Sequence, residues 1–265
     1  IPSLQLTREP SPGLMPSSWS TVVSSTRSSL ISHDPSPSTA SALPTDRVKD
    51  YRRLLHREPK DLRSASITKR SLRGKYLFDA DLRGVDLTDG VLDKAMLEGA
   101  RFDDATMVRV SARHTHLAHA KLRNADLTDA DLSFDRHYPH VEVTGNYAQF
   151  SRAILDGADL SRARFAFAQF DNASLLKADL SRAALVGASF QGADLRGADL
   201  RFADLSRGRL EEADLRGANL SFTSLAGANL EGARVDDTTL WRGTRYNQRT
   251  RWFDGVRRRA PLTAD

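Results

Sequence analysis

Apolar residues recur at every fifth position over most of this chain, and no other property restricts its fold as much. The first block comprises Ile67, Leu72, Leu77, Leu82, Leu87, Leu92, Leu97, Phe102, Met107, Ala112, Leu117, Leu122, Leu127 and Leu132. The register resumes at Phe150 and runs in steps of five to Leu230, Val235 and Leu240, giving 14 units before the break and 19 after it. Two residues before each centre of the second block stands Ala in 16 of 19 units, the exceptions being Gly208, Thr223 and Thr238. A period of five matches neither the helical repeat of about 3.6 nor the strand repeat of about 2. A chain that turns a square corner every five residues does fit. Its large apolar residue and its small Ala both point at a narrow axis, and the remaining positions face water. Successive coils then stack at the strand spacing of ~4.8 Å, pairing backbone groups from coil to coil. At about four units per coil, these repeats make about eight coils and a rod of roughly 40 Å.

Runs such as Ala193-Asp194-Leu195-Arg196-Gly197, Ala198-Asp199-Leu200-Arg201-Phe202 and Ala218-Asn219-Leu220-Ser221-Phe222 resemble the A(D/N)LXX signature of pentapeptide-repeat proteins. The resemblance covers about residues 66–243 and implies an all-β fold, a right-handed quadrilateral β-helix. The opening units depart from the signature, because Arg70 and Lys75 occupy the small inward position, so an irregular first coil is expected. The best-understood members of that family resemble DNA in shape and charge, bind type II topoisomerases such as gyrase, and protect them from quinolones or related poisons. The resemblance thus implies a topoisomerase as one candidate partner.

Residues 1–45 contain 13 Ser, 7 Pro and 5 Thr among scattered apolar residues, the composition of a disordered tail or tether. Residues 46–65 place Val48, Tyr51, Leu54 and Leu55 at helical spacing between Asp46 and Pro59, which predicts a short, basic, helical N-terminal cap. Phe150 follows Leu132 by 18 residues, a register slip of three, so the segment 134–147 is expected to leave the coil. Such an excursion is either a tolerated insertion or the part that recognises a partner, with Tyr138 and Tyr147 as its anchors. Residues 244–265 lose the repeat and form a C-terminal cap. Trp241, Tyr246, Trp252 and Phe253 suit a plug over the open core and the unpaired strand edges, and relatives often use this end to dimerise, which implies a candidate homodimer contact.

Steps of twenty residues bring one corner of successive coils into a column. Arg162, Arg182, Phe202, Phe222 and Arg242 fall on one such column, flanked by Arg201 and Trp241. Arginine with aromatic rings is the composition of a protein-binding hot spot and of a nucleic-acid stacking platform; it also suits a column that only supports the rod. Asp159, Asp179, Asp199 and Asn219 form a second column. The same Asp or Asn recurs all round the rod, so its role is structural rather than catalytic. Five of the seven histidines fall between His114 and His140. If coil geometry persisted into the excursion, His137 would stack on Leu117 and bring His137 and His140 near His116 and His119, a set able to bind Zn²⁺ or sense pH.

The formal charge of +5 is unevenly placed: residues 66–243 carry 24 Lys+Arg against 26 Asp+Glu, and the flanks carry the positive balance. A rod so close to neutral weakens DNA mimicry unless one side is acidic. The chain has no cysteine, which excludes disulfides and thiolate chemistry. It has no apolar run of ~18 residues, hence no membrane-spanning helix, and the first residues show no secretory signal, so a cytoplasmic protein is expected. No phosphate-binding loop, nucleophile elbow or triad is present, and neither enzymatic activity nor a cofactor is expected. Three readings stay open: a module that binds a macromolecular partner through its sides and the 134–147 excursion; a DNA-mimicking, gyrase-binding protein; and nucleic-acid binding through the basic flanks.

Overall fold

The structure, a computed structural model, describes residues 61–63, 67–134, 144–253 and 263–264. The chain divides into two units, Ile1–Leu43 and Pro44–Asp265, and all of the described residues lie in the second. The tail expected over 1–45 and most of the helical cap expected over 46–65 therefore fall outside the described residues, as do Tyr138, His137 and His140.

The described residues form a right-handed quadrilateral β-helix. One unit shows how the sequence closes it. The amide of the inward Leu180 donates to the Asp199 carbonyl of the next coil (2.8 Å), and the Asp199 amide donates back to the Ala178 carbonyl (2.9 Å). The Arg182 amide donates to the Arg201 carbonyl (2.8 Å), while the Ala183 amide turns back to the Leu180 carbonyl (3.1 Å) and closes the corner. Backbone groups that a free strand would leave open are thus satisfied coil to coil. The corner needs a left-handed residue two places after each centre: Arg182 (φ 61°), Phe202 (φ 61°) and Phe222 (φ 62°) adopt it as readily as Gly187 (φ 67°) and Gly197 (φ 67°) do. Ala follows because a larger side chain would meet the axis.

Parallel bridges link Asp61, Asp81, Arg101, Lys121, Gln149, Gln169, Ser189, Arg209, Asn229 and Arg251 in one column, nine coil steps in all among the described residues. The inward Leu, Phe and Ala side chains are buried almost without exception. Phe150, Phe170 and Phe190 stack within the core with centroids 4.8 Å apart, the coil spacing itself. No described helix is long and apolar enough to cross a membrane.

Several boundaries differ from the sequence expectation. Residues 61–63 belong to the coil rather than to a helical cap: Asp61 bridges Asp81 and Leu62 is buried, five residues ahead of Ile67. The corners at Arg70 and Lys75, where irregularity is expected from the sequence, are ordinary: their amides close onto the Ile67 and Leu72 carbonyls (both 3.1 Å), and their side chains are half-buried. Phe134 still follows the coil, and Thr144 already bridges Arg164. Of the excursion expected over 134–147, residues 135–143 lie outside the described residues, and Tyr147 (φ 61°) is a corner of the rod rather than a loop anchor. Gly145 stands over Leu117, whose amide donates to the Thr144 carbonyl (3.0 Å).

The last coils are wider. Asn219 bridges Leu240 and Ser224 bridges Arg245, one residue beyond the period, because Asp236 makes a broader corner. Its Oδ1 accepts from the Gly217 amide (3.2 Å), the Thr238 amide (3.0 Å) and the Thr238 hydroxyl (2.6 Å). The shift moves Leu240 out to 51% exposure and turns Trp241 inward at 4%. Strand β1, Arg245–Tyr246, pairs in parallel with β2, Thr263–Ala264.

Candidate functional site

Each side of the rod is a column of units, so a surface is defined by which units stack. The first side runs through Leu62, Leu82 and Phe102, the second through Ile67 and Leu87, the third through Leu72, Leu92 and onward to Leu180, Leu200 and Leu220, and the fourth through Leu77, Leu97, Leu117, Gly145, Phe165, Leu185, Leu205 and Leu225. Columns of corner residues separate them.

The corner between the third and fourth sides holds the ridge expected from the sequence. The Arg182 guanidinium lies 4.7 Å from the centroid of the Phe202 ring, and Phe202 stacks on Phe222 at 4.9 Å and 8°. Gly243 takes the next corner place, because of the wider coil, and a Cβ there would lie 2.7 Å from the Phe222 ring. Arg242 stands one residue before that corner and reaches over Phe222 at 6.0 Å. A left-handed backbone costs a non-glycine residue about 1–2 kcal/mol; a stacked pair returns about 0.5–1.5 kcal/mol and an exposed cation–π contact about 0.5–1 kcal/mol. With three left-handed residues, Arg182, Phe202 and Phe222, against one stacked pair and two cation–π contacts, the ridge returns only part of its own strain and does not add to the stability of the rod.

The corner between the fourth and first sides carries a second ladder that the sequence reading did not identify. His119 stacks on Tyr147 at 5.2 Å and 2°, and Tyr147 on Phe167 at 5.3 Å and 10°. A Cβ on Gly187 would lie 2.6 Å from the Phe167 ring, so bare backbone covers the end of this ladder too.

The other expected residues take different roles. Arg201 is fastened to Asp199, donating from Nε (2.9 Å) and Nη2 (2.5 Å). Burial raises the Asp199 carboxyl, and these bonds with the Arg201 amide outweigh it, holding it below the ordinary range. Asp159, Asp179 and Asp199 do stack by bridges, ending on Asn219. Each accepts the amide two residues on, from Ser161 (2.8 Å), Ser181 (2.8 Å) and Arg201 (3.0 Å), and so fixes its own corner. Trp241 is buried and cannot meet a partner. It contacts Trp252 and Phe253, at 6.0 Å and 6.4 Å between centroids, while Tyr246 packs edge-on to Trp252 at 5.4 Å. Among the described residues no group of three or more His, Cys, Asp or Glu is disposed to hold a metal ion; His119 stacks on Tyr147, and His137 and His140 lie outside the described residues.

A family model described as pentapeptide repeats matches in eight copies, over residues 76–111, 107–134, 146–175, 163–201, 173–211 and 203–242. Among solved structures the chain is similar to HetL, a pentapeptide repeat protein involved in heterocyst differentiation regulation from the cyanobacterium Nostoc, at 28% identity over 74% of this chain and 92% of that one, with a TM-score of 0.41. It is similar to QnrB1, a plasmid-mediated fluoroquinolone resistance protein, at 18% identity over 67% of this chain and 87% of that one, with a TM-score of 0.49. A third, Rfr23 from the cyanobacterium Cyanothece, is 31% identical over 46% of this chain and 87% of that one, with a TM-score of 0.37. No curated protein matches.

Proposed function

The chain belongs to the pentapeptide-repeat family, and from that premise we propose that it acts as a non-enzymatic interaction module, a rod whose corners and sides engage a macromolecular partner. The observation that carries this reading is the ridge Arg182–Phe202–Phe222–Arg242, whose two rings are 47% and 40% exposed although they contribute little to folding. Aromatic rings flanked by arginine and held in one geometry are the usual content of a binding hot spot. The closing aromatics at the C-terminal end are turned inward, which supports capping within one chain ahead of dimerisation.

DNA mimicry by a gyrase-directed protein is the second reading, and it needs a long acidic side. The one sustained carboxylate column, Asp131–Asp159–Asp179–Asp199, gives way to Asn219 and Leu240. Arg162 and Arg182 edge it at the adjoining corner, so the protein-partner reading is favoured. The test joins a pull-down with a gyrase supercoiling assay run with and without a quinolone. The expected result is partner capture that Phe202→Ala with Phe222→Ala abolishes while circular dichroism stays unchanged. Gyrase protection at micromolar protein would instead support the second reading, and capture unaffected by the two alanines would return the rings to a structural role.

A further inference from the structure

Resting on the interaction-module reading, we propose that the fourth side of the rod, with the two corner columns that edge it, is the docking surface for an acidic protein segment with an apolar middle. Every exposed aromatic residue among the described residues lies there: Tyr76, Phe78, Tyr147, Phe167, Phe202 and Phe222. The floor between the columns is small and apolar at Ala118, Ala166, Val186 and Ala226, with the uncharged Asn146 and Ser206 between them and a single charge at Glu98, whereas the same turn position on the first side holds Arg83, Asp103, Arg123 and Glu211.

Charge on this side is also treated differently. On the other three sides most arginines are neutralised in place, as in Arg83–Asp81 (2.6 Å), Arg196–Asp194 (2.6 Å) and Arg201–Asp199 (2.5 Å), Arg123 and Arg152 being the exceptions among the described residues. Among the described residues, Arg162, Arg207, Arg245 and Arg249, on the fourth side and its edges, form no ion pair, and Arg182 is engaged only with a ring. Asp79 and Glu98 lie in the opening coils, and Asp204 alone stands among these arginines, in the bridge column that leads through Ser224 to Arg245, so the carboxylates of this side are too few to balance them. An excess of cations over carboxylates around this floor complements carboxylates around an apolar stripe.

The alternatives fit less well. A nucleic acid would need open ring faces for its bases, but the rings in both ladders spend their faces on each other and on bare glycine backbone, leaving edges outward. A second copy related by a twofold axis would set the same arginines against each other. Residues 1–60 of this chain carry 8 Lys+Arg against 5 Asp+Glu, the wrong sign for an intramolecular occupant.

The experiment selects a displayed library of random peptides on the full chain and measures the selected peptides against point variants and salt. Ala166→Glu and Ala226→Glu occupy the turn position that already accepts Glu98, Glu211 and Glu231, so the rod should fold, checked by circular dichroism and thermal unfolding; Gln191→Glu on the first side is the control. Peptides rich in Asp, Glu and apolar residues are expected, weakened about tenfold or more by either alanine variant and unaffected by Gln191→Glu. Selected peptides that are not acidic, or that ignore both alanine variants, would overturn the proposal while leaving the interaction-module reading intact. Failure to enrich any peptide would count against both. An oligothymidylate that binds as tightly, and is lost with the same variants, would give the surface to nucleic acid and overturn the proposal.

Discussion

Gly145 occupies an inward place that the neighbouring coils fill with Leu117 and Phe165, and the Phe165 ring takes the room it leaves. A Cβ built on Gly145 would lie 1.9 Å from Phe165 Cε1. Gly145→Ala is therefore expected to cost about 1–3 kcal/mol by overpacking, and Phe165→Leu a comparable amount through lost contacts. Denaturant unfolding of the double variant should show a coupling of about 0.5–3 kcal/mol, with the pair losing less than the two singles together; strictly additive losses would show the positions to be independent. Phe165 was legible in the sequence as one more centre of the repeat. Gly145 was not, because it has no regular unit before it and its lack of a side chain breaks the apolar pattern that would have marked it. The exceptions to inward Ala have a similarly local cause: the Thr223 hydroxyl donates to the buried Leu200 carbonyl (2.6 Å), as Thr244 does to Leu220 (2.8 Å), so a polar residue at the axis is satisfied.

A single unit is held by its corner, and the acidic residue before each centre is part of that corner. Asp214 carries this furthest: it is 3% exposed and accepts from Arg216 Nε (2.9 Å) and Nη2 (2.7 Å), with Arg234 from the next coil at 3.1 Å. The Arg216 side-chain bond, with the Arg216 amide and the Arg234 charge, outweighs burial and holds the Asp214 carboxyl below its ordinary value. A carboxyl with a lowered folded pKa stabilises fully above its unfolded value of about 3.9, and that contribution is lost as pH falls through the folded value. Stability of the native chain should thus drop below about pH 4. Asp214→Asn should be less stable at neutral pH and lose less on acidification; parallel acid curves for the two proteins would remove Asp214 from the account. Unit spacing also explains what the sequence hid at this scale. Arithmetic in steps of twenty found the Arg182–Phe202–Phe222 column, but the residues added by the excursion separate His119 from its ring partner Tyr147, and Tyr147 itself reads as part of the excursion, so its step of twenty to Phe167 escaped as well. The wider corner at Asp236-Asp237-Thr238-Thr239 likewise displaced Leu240, although an Asp followed by two threonines is a readable turn signal.

Across the whole rod the charge, the core and the ends follow from one-dimensional stacking. Coils meet only their neighbours, so stability is close to a sum over adjacent pairs, and an open end is the weakest place. At the C-terminal end the wider coil puts Trp241 over Leu220, whose amide donates to the Leu240 carbonyl (2.8 Å), while the Thr244 hydroxyl ties the same coil to the Leu220 carbonyl (2.8 Å). Trp252 and Phe253 close over Trp241 from outside. Trp241→Ala removes a large buried side chain between Leu220 and that lid, and should cost about 3–5 kcal/mol locally. Because coupling runs neighbour to neighbour, the loss should not spread evenly. Hydrogen exchange is expected to rise at the amides of Leu220, Phe222 and Leu225 and, less, at Leu200 and Leu205, while those of Leu82, Phe102 and Leu122 keep their protection. Equal loss along the rod would mean that it unfolds as one cooperative body and that the cap guards every coil; loss confined to residues beyond Trp241 would mean that the plug covers the end without supporting the coil beneath it.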